Sequence, residues 1–529
     1  MPADRKSIRL NTRALVIGAG IAGLATAARL AHVGLDVTVC EAQATPGGKM
    51  RCLPSAAGPV DAGPTVLTMR PVFEQLYADI GETLSAHVTL VRQRMIARHF
   101  WHDGSQLDLF DSEEANIAAL QEFAGSTAAR QFRDFSGQAR LLFQAFEAPM
   151  MHAAAPSFLK LARHVAARPH LLTRLAPFSS LNRLLHQHFD DPRLIQLFGR
   201  YATYVGGSPY QAPALLALIW QAEAAGVWAI EGGMHQLAQS LADLAKARGA
   251  QFHYGKAVDR IEVDGGAVTG VTLADGTGIT APVVVYNGDP RALALGALGP
   301  GCGGVAPQTK RKPRSLSAEV WAFAARASGP ELAHHNVFFR DDPKPEFDGL
   351  ARGEISPDPT IYVCAMDRGI STPTPEIERF ETIVNAPPLT GKPNTEDISQ
   401  CQSRTFQTLA SFGLQFDRMP DPESLTTPSD FETLFPGSAG ALYGQSPHGL
   451  TAALQRPQTR TPISGLYLAG GGAHPGAGVP MATLSAQHAA EAILSDRIST
   501  SPSRPTAMRG GISTVSATVA DRPSASSGS

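Results

Sequence analysis

The sequence predicts an α/β fold, and three observations near its N-terminus support this prediction. Residues 15–17 form a short apolar run typical of a buried strand. Small and apolar residues at helical spacing follow over 24–31, and a second β-rich run over 37–40 completes a strand–helix–strand unit. Such a unit is the building block of a Rossmann-type domain with a parallel sheet.

The turn between the first strand and the first helix carries a Gly-x-Gly-x-x-Gly pattern. Gly18 permits a tight turn, Gly20 lets the backbone approach a pyrophosphate, and Gly23 lets helix and strand pack closely. The pyrophosphate would lie at the helix N-terminus, and Glu41 stands where a carboxylate binds ribose hydroxyls. A tight turn in any α/β sheet is the alternative, but the complete strand–helix–strand–acid context predicts dinucleotide binding.

Glycine clusters recur at three further places. Gly47 and Gly48 precede Lys49, and near the C-terminus a strand pattern over 466–468 leads into three glycines and a helix. Both would direct backbone N–H groups toward a polar ligand. The Gly-Pro turn within 60–66 fits either a plain loop or a segment that passes close to a cofactor. Spacing alone does not distinguish FAD from NAD.

Composition excludes several classes of protein. The chain has 529 residues and a net charge of −2, so length favours two or more domains and charge offers no case for a nucleic-acid partner. Its five cysteines lack CxxC spacing, which predicts reduced thiols, no metal site and a cytoplasmic location. No uninterrupted apolar run reaches the roughly 18 residues of a membrane helix, so the protein is not expected to be integral to a membrane.

The pattern along the chain predicts a discontinuous nucleotide-binding domain interrupted by other units. A mixed-sheet substrate domain and a helical insertion rich in Ala, Leu, Phe and Arg account for the remainder. The predicted boundaries are a flexible leader over 1–12, nucleotide-binding parts over 13–111, 226–300 and 456–498, the helical insertion with substrate-region residues over 112–225, the substrate domain over 301–455, and a disordered tail over 499–529.

The helical insertion contains a candidate membrane surface. Phe158 and Leu159 stand in a setting of Lys160, Arg163 and Arg168, and an apolar face beside cations suits contact with an anionic bilayer. The alternative is an amphipathic helix packed on its own core. The sequence leaves both interpretations open.

Four segments together resemble the phytoene-desaturase-like, carotenoid-processing FAD oxidoreductases, over residues 13–496. They are the N-terminal fingerprint with its second glycine pair, the stretch 61–65, the stretch 228–234, and the C-terminal stretch 466–480. The last is the most specific, since it is similar to the family's glycines followed by His-Pro-Gly-Ala-Gly-x-Pro. The chain departs from many members at 471–473, which read Gly-Gly-Ala rather than Ala-Gly-Thr, and at Met481, where many have Gly.

Three stretches, 198–207, 364–369 and 479–482, are similar to the hydroxyneurosporene (methoxyneurosporene) desaturase branch of that family, and Met481 fits this branch. The resemblance implies an FAD-dependent oxidoreductase acting on CH–CH groups in carotenoid biosynthesis. It would introduce a C3–C4 double bond into an acyclic 1-hydroxycarotenoid of the 1-hydroxyneurosporene type, with the flavin accepting a hydride.

The resemblance and the motifs together assign a set of residues to FAD. They are Gly18, Gly20, Gly23, Glu41, Gly47, Gly48, Lys49, Gly63, Pro64, Thr65, Val258, Gly470, Gly471, Gly472, Pro480 and Met481.

The reacting end of the site has fewer candidates. His474, inside the C-terminal glycine turn, is the candidate catalytic residue, although a lone His in such a turn is more often structural. Arg200 and Asp367 are candidate contacts for the substrate hydroxyl. A cation formed after hydride loss would be delocalised over the polyene, so a strong base is unnecessary. We therefore expect no single Asp, Glu or His substitution to abolish activity while FAD remains bound.

Other functions remain open at this point. The chain could desaturate phytoene, neurosporene or another carotenoid, or isomerise one without net oxidation. A flavin amine oxidase shares the N-terminal half but lacks the His-Pro-Gly-Ala-Gly-x-Pro ending. A non-catalytic isoprenoid-lipid carrier on the same fold is disfavoured by the intact fingerprint with Glu41. The expected partners are the carotenoid, oxygen or a quinone as electron acceptor, and the surface of the inner or photosynthetic membrane.

Overall fold

A computed structural model describes residues 12–176, 178–370, 372–389, 397–449 and 451–500. The predicted leader and tail lie outside the described residues, apart from residues 12, 499 and 500.

The N-terminal part begins with the predicted strand–helix–strand unit and ends in a hairpin. Its elements are β1 (Arg13–Ile17), α1 (Ile21–His32), β2 (Asp36–Cys40), β3 (Cys52–Leu53), β4 (Val60–Asp61), α2 (Arg70–Asp79), β5 (Leu90–Gln93), β6 (Met95–Trp101) and β7 (Gln106–Phe110).

The next part is helical, as the sequence predicts for the insertion. Its elements are α3 (Glu113–Phe146), α4 (Phe158–Ala166), α5 (His170–Leu175), α6 (Leu181–His188), α7 (Pro192–Gly199) and α8 (Leu218–Ala224). Helix α3 is interrupted at Gly125, where φ is +86°, and a π-helical turn over Glu147–His152 follows it. Aromatic rings that recur at helical spacing meet in one core, with the rings of Phe135 and Phe198 4.7 Å apart.

The chain then returns to the first domain before it forms most of the second. The elements are β8 (Val227–Ile230), α9 (His235–Ala247), β9 (Gln251–His253), β10 (Val258–Asp264), β11 (Ala267–Leu273), β12 (Gly278–Thr280), β13 (Val283–Tyr286), α10 (Pro290–Leu295), β14 (Ser317–Ala325), β15 (Ala327–Ser328), β16 (His335–Phe339), α11 (Lys344–Arg352), β17 (Ile361–Ala365), β18 (Glu378–Ala386), α12 (Ile398–Ser411), β19 (Gln415–Phe416), β20 (Leu425–Thr426), α13 (Pro428–Leu434), β21 (Leu466–Leu468) and α14 (Val479–Thr500).

The first sheet is the predicted Rossmann-type sheet. Its five strands are parallel and lie in the order β21-β13-β1-β2-β9. Helices α1, α9 and α14 pack together over one face around a common apolar core, and the small sheet β10-β11-β12 joins the core on the other face. Strands from distant segments complete the sheet, so this domain is discontinuous, as predicted.

The second sheet has seven strands in the order β20-β14-β18-β17-β16-β6-β7. It is mixed, because β16 and β6 run parallel while the other pairs are antiparallel. Strands β14, β16, β17 and β18, from the predicted mixed-sheet substrate domain over 301–455, all lie in it. The hairpin β6–β7 also belongs here, although the predicted boundary at 111 assigned it to the first domain.

The segment that follows residue 300 was predicted to belong to the substrate domain, but it packs on the first domain. Cys302, Val305 and Ala306 are buried in the core of the first domain. The second domain therefore begins at β14 rather than at 301, because these apolar side chains follow α10 onto the first sheet.

The two faces of the seven-stranded sheet have different neighbours. The outer face, with Trp321, Phe380 and Val363, packs against α12. The inner face is covered at one end by the helical insertion, and at the other by Val60 and Ala62 of the first domain. The inner face therefore lies between the two domains.

Candidate active site

Polar and glycine residues follow four neighbouring strands at one edge of the parallel sheet. Gly18, Glu41, Asn287 and Gly470 come after β1, β2, β13 and β21, directly or one residue later. From β1 the chain first adds β2 and β9 on one side, and later adds β13 and β21 on the other side. The strand order therefore reverses between β1 and β13, and ligands of open α/β sheets bind at such a topological switch point. Asn287 is not among the residues predicted from the sequence to bind the cofactor, although its position at the end of an apolar strand was a usable signal.

The glycines at this edge approach one another too closely for side chains. A Cβ on Gly20 would lie 2.9 Å from Asn287 Nδ2, and one on Gly470 would lie 2.9 Å from Asn287 Oδ1. A Cβ on Gly48 would lie 3.0 Å from the Cα of Gly20. Backbone without side chains therefore forms a concave surface, the glycine cradle, at the N-terminus of α1, and this surface fits the diphosphate of a dinucleotide.

Glu41 and Val258 lie on the flank of this cradle. The buried carboxylate of Glu41 accepts hydrogen bonds from the backbone N–H groups of Ala19 at 2.5 Å and Gln43 at 2.8 Å. The carbonyl of Glu41 accepts the N–H of Lys256 at 2.8 Å, and Val258 begins β10 two residues later. Glu41 is therefore held beside the glycine turn, at the position predicted for ribose binding.

A cluster of cations adjoins the other flank. Lys49 Nζ donates to the carbonyl of Leu442 at 2.6 Å, and burial lowers the pKa of this lysine to about 8. Arg456 donates to the carbonyl of Gly471 at 2.7 Å, and burial lowers its pKa to about 10. Arg314 forms a buried ion pair with Asp289 close to both. In the part of the chain that the structure describes, these three cations share the carboxylate of Asp289, and this excess of positive charge complements an anionic cofactor.

The remaining predicted cofactor residues surround the same space. A Cβ on Gly63 would clash with the carbonyl of Lys49, so 63–65 runs directly beside the second glycine pair. Pro480 is buried and Met481 half-buried in the first turn of α14, after the C-terminal glycines 470–472. The predicted residues from five separate segments thus converge, and the arrangement fits FAD.

His474 lies within this region but its ring is engaged elsewhere. Its Nε2 donates to the carbonyl of Ala153 at 2.7 Å, and its ring stacks on His488 at 5.8 Å. Burial lowers the pKa of His474 to about 4, so the ring is neutral near neutrality. These contacts tie the C-terminal glycine turn to the end of the π-helical turn. The catalytic role of His474 stays a prediction.

The two candidate substrate contacts occupy different surroundings. Asp367 accepts hydrogen bonds from the guanidinium of Arg379 at 2.5 and 3.0 Å and from its backbone N–H at 2.8 Å, within a buried ion pair. Arg200 is half-buried, and its Nη1 donates to the hydroxyl of Tyr204 at 3.0 Å. The role of Asp367 as a substrate contact stays a prediction, and its ion pair favours a structural role.

A polar cluster on the inner face of the seven-stranded sheet was missed by the sequence analysis. His335 Nδ1 lies 2.6 Å from the hydroxyl of Tyr362, which lies 2.7 Å from Thr65 Oγ1. His334 Nε2 lies 3.6 Å from Cys364 Sγ. Alternation along single strands gives no signal for this cluster, because its members come from separate strands and are brought together only by pairing.

The cluster is neutral in the folded protein. Burial raises the pKa of the Cys364 thiol, the Tyr362 phenol and the neighbouring Glu381 carboxyl well above their usual ranges. Burial also lowers the pKa of His334 to about 4 and that of His335 well below its usual range. Among the described residues, the ligand atoms of His334, His335 and Cys364 all lie within 4.8 Å of one another.

Buried histidines predict sensitivity to acid. Burial lowers the pKa of His99 to about 3, against about 6.5 in an unfolded chain. A lowered folded-state pKa contributes stability that is complete above pH 6.5 and is lost as the pH falls toward the folded-state value. For this residue the loss between pH 6.5 and 4.5 is about 2–3 kcal/mol. His99→Phe should therefore flatten the fall in free energy of unfolding over this range, measured by urea titration at each pH.

Asp61 has the opposite effect on the pH dependence of stability, so a substitution of Asp61 provides the control. Burial raises its pKa to about 6, so its contribution is present at low pH and lost as the pH rises toward 6. Asp61→Asn should steepen the acid loss that His99→Phe reduces. Identical pH profiles for both variants and the unaltered protein would contradict these assignments.

The family of the chain follows from comparison with known proteins. The model of the flavin-containing amine oxidoreductase family matches residues 21–494. A hydroxyneurosporene desaturase of Cereibacter sphaeroides is 55% identical over 490 residues, which cover 92% of this chain and 99% of that protein. A second, from Rhodobacter capsulatus, is 50% identical over 492 residues, covering 93% of this chain and 99% of that protein.

Solved structures agree on the fold. Wild-type putrescine oxidase bound to putrescine aligns with a TM-score of 0.59 at 16% identity, over 92% of this chain and 99% of that protein. At this identity the likeness concerns the fold alone. The FAD predicted from the glycine segments agrees with the family, and so does the predicted enzyme class. The chain belongs to the flavin-containing amine oxidoreductase family and is an FAD-dependent oxidoreductase.

Proposed function

We propose that this protein is an FAD-dependent desaturase that forms the C3–C4 double bond of acyclic 1-hydroxycarotenoids. The observation that supports this most strongly is the position of the inner face of the seven-stranded sheet. It lies between the helical insertion and the 63–65 segment of the cofactor site, in a chain about half identical to two hydroxyneurosporene desaturases. The apolar side chains on this face suit contact with a polyene. Because the face also borders the 63–65 segment, a polyene bound on it would lie close to the cofactor site.

The reaction removes two hydrogens from adjacent carbons. One hydrogen on C4, the carbon next to the polyene, leaves as a hydride and one on C3 leaves as a proton, and a carbon–carbon double bond forms between them. FAD, when bound, supplies the two-electron oxidation. The protein's residues align the polyene and exclude water. Because the positive charge left by hydride loss spreads along the polyene, the neutral inner-face groups need not include a strong base.

An anaerobic experiment tests this function. The FAD-loaded protein is mixed with 1-hydroxyneurosporene in liposomes, and the flavin and polyene spectra are followed together. We expect the flavin to bleach while the polyene absorption shifts to the red, since one conjugated double bond is added. An altered polyene of unchanged conjugated length would indicate isomerisation instead. A protein that purifies without flavin absorption and still binds the polyene would indicate a carrier.

We also propose that the protein acts while attached peripherally to the inner or photosynthetic membrane, on its cytoplasmic side. Phe158, Leu159 and Phe178 are 67%, 59% and 92% exposed, and all three lie in or next to helices α4 and α5 of the insertion. Lys160 and Arg163 lie on the same short helix α4. Large exposed apolar side chains beside cations fit an anionic bilayer surface. Within the described ranges, no helix is long and apolar enough to span a bilayer.

A triple variant tests the membrane surface. Phe158→Ser, Leu159→Ser and Phe178→Ser together should reduce sedimentation with phosphatidylglycerol vesicles by more than about tenfold, because each buried apolar side chain contributes about 1.5–3 kcal/mol. The matched control replaces Leu295, Ile398 and Met419, which are 51%, 41% and 56% exposed on other elements, by Ser. Equal loss in both triple variants would contradict a specific surface.

A further inference from the structure

We infer that Arg200, Tyr204, His335 and Tyr362 form a pocket that binds the C1 hydroxyl of the substrate, and that this pocket makes the enzyme select hydroxylated carotenoids over hydrocarbon ones. The inference rests on the proposed desaturase function. It goes beyond that function by assigning recognition of the hydroxyl to particular side chains on the inner face.

The pocket is a polar interruption in an apolar wall. On the inner face, Tyr362 pairs with Val337, and His335 pairs with Cys364. Directly paired residues of neighbouring strands project to the same face of a sheet. His335 and Tyr362 thus project to the same face from adjacent strands, and Tyr362 packs against the apolar core that contains Val337.

The pocket contains hydrogen-bonding atoms without partners. Nε2 of His335 and Nε of Arg200 are both buried, and neither has a hydrogen-bond partner among the described residues. His335 is 2% exposed. Leaving a buried polar atom unpaired costs about 1–3 kcal/mol, so such atoms usually mark a missing partner. An alcohol supplies that partner, because its hydroxyl donates one hydrogen bond and accepts others.

The charges in the pocket suit a neutral alcohol. Arg200 offers N–H groups only, so it donates to the substrate oxygen. Burial, with smaller contributions from His334 and Arg200, holds the pKa of His335 well below its usual range. The neutral imidazole therefore presents a single nitrogen that pairs with the hydroxyl in either tautomer. Around the guanidinium, Tyr201 donates to Glu223 at 2.6 Å, and Arg200 lies 5.0 Å from the Tyr204 ring centre.

The position of the pocket matches the position of the reacting bond. In a 1-hydroxycarotenoid the hydroxylated carbon is two bonds from C3, so the hydroxyl must bind beside the flavin and not at a distant end of the cavity. The hydroxyl of Tyr362 is hydrogen-bonded to Thr65, and the segment 63–65 runs beside the second glycine pair of the cofactor site. A cavity of about 10 Å³, large enough for about one water molecule, is lined by Asp61, Thr65 and Cys364, and it borders the pocket at Thr65, the hydrogen-bond partner of Tyr362.

Selectivity between two carotenoids tests the assignment. The FAD-loaded protein, His335→Phe and Tyr362→Phe are each assayed with 1-hydroxyneurosporene and with neurosporene, which lacks the hydroxyl. We expect His335→Phe to lower kcat/KM for the hydroxylated carotenoid by about 10–100-fold, with the loss in neurosporene turnover smaller than twofold. Tyr362→Phe keeps the ring and should lower the same ratio, so it serves if His335→Phe does not fold. The control His188→Phe alters a half-buried histidine of the insertion and should leave the ratio unchanged.

Binding gives a second readout without turnover. Dithionite-reduced enzyme cannot oxidise the substrate, and quenching of tryptophan fluorescence by the polyene reports its Kd. The unaltered protein should bind the hydroxylated carotenoid more tightly than neurosporene, and His335→Phe should remove that difference.

Three outcomes would overturn the assignment. A selectivity ratio unchanged in both His335→Phe and Tyr362→Phe would show that the hydroxyl binds elsewhere, while the desaturase function would stand. One equivalent of zinc or copper in the purified protein, lost in His335→Phe, would mark the His334, His335 and Cys364 cluster as a metal site. An unaltered protein that oxidises neither carotenoid would refute the proposed function itself.

Discussion

Gly23→Ala is expected to yield a protein that purifies without FAD and has no measurable desaturase activity. A Cβ at this position would clash with the carbonyl oxygen of Gly18, and it would also lie 2.9 Å from Asn287 Nδ2. Relief requires that α1 move away from the glycine turn, which separates the helix N-terminus from the diphosphate site. The measurement is the ratio of flavin to protein absorbance in the purified variant, with far-ultraviolet circular dichroism to confirm folding.

Gly137→Ala is the matched control for this prediction. Gly137 lies within α3, and a Cβ there would meet no atom of the described residues within 4 Å. Alanine in an exposed helix interior stabilises by about 0.5–1 kcal/mol relative to glycine, so this variant should retain full flavin and gain stability. A folded Gly23→Ala protein with a full complement of FAD would refute the assigned role of the glycine turn.

Asp367→Ala is expected to lower the free energy of unfolding by about 3–5 kcal/mol, because it leaves a buried arginine without its counter-ion. The Asp367 and Arg379 side chains are 6% and 16% exposed, and the aspartate also binds the Arg379 backbone. The pair joins the end of β17 to β18, and Arg379 also donates to the carbonyl of Pro59 at 3.1 Å. Chemical denaturation followed by tryptophan fluorescence measures the loss.

A solvent-exposed pair provides the comparison. Arg13 and Asp36 are 50% and 47% exposed, and exposed pairs contribute about 0–1 kcal/mol, so Asp36→Ala should have little effect. An Asp367→Ala protein of unchanged stability, with KM raised for the hydroxylated carotenoid only, would show that Asp367 contacts the substrate. That result would also transfer hydroxyl recognition away from the His335 pocket.

The sequence predicted the parallel sheet and its cofactor edge in detail. Strand β13, more than two hundred residues from β1 along the chain, pairs with β1 and makes the nucleotide-binding domain discontinuous, as the predicted segments 13–111 and 226–300 require. Apolar runs, glycine spacing and the acid at Glu41 are local signals, because each is imposed by the backbone geometry of one turn. The helical insertion was likewise visible from its periodicity. The hairpin β6–β7 shows the limit, since the predicted boundary at 111 placed it in the first domain, whereas its strands join the second sheet.

What the sequence by itself determined is therefore the chemistry that short segments encode: the Rossmann-type unit, the glycine turns, the FAD cofactor and the family. The individual FAD-binding residues stay predictions. Only the tertiary structure decided which side chains meet on the inner face. His335, Tyr362 and Glu381 lie on three strands, and Arg200 comes from the insertion, so their proximity depends on strand register and domain packing. The two predicted substrate contacts also differ in the structure: Asp367 is held in an ion pair with Arg379, while the buried Nε of Arg200 has no hydrogen-bond partner among the described residues. Contacts across strands arise from long-range packing, and no local spacing in the chain encodes them.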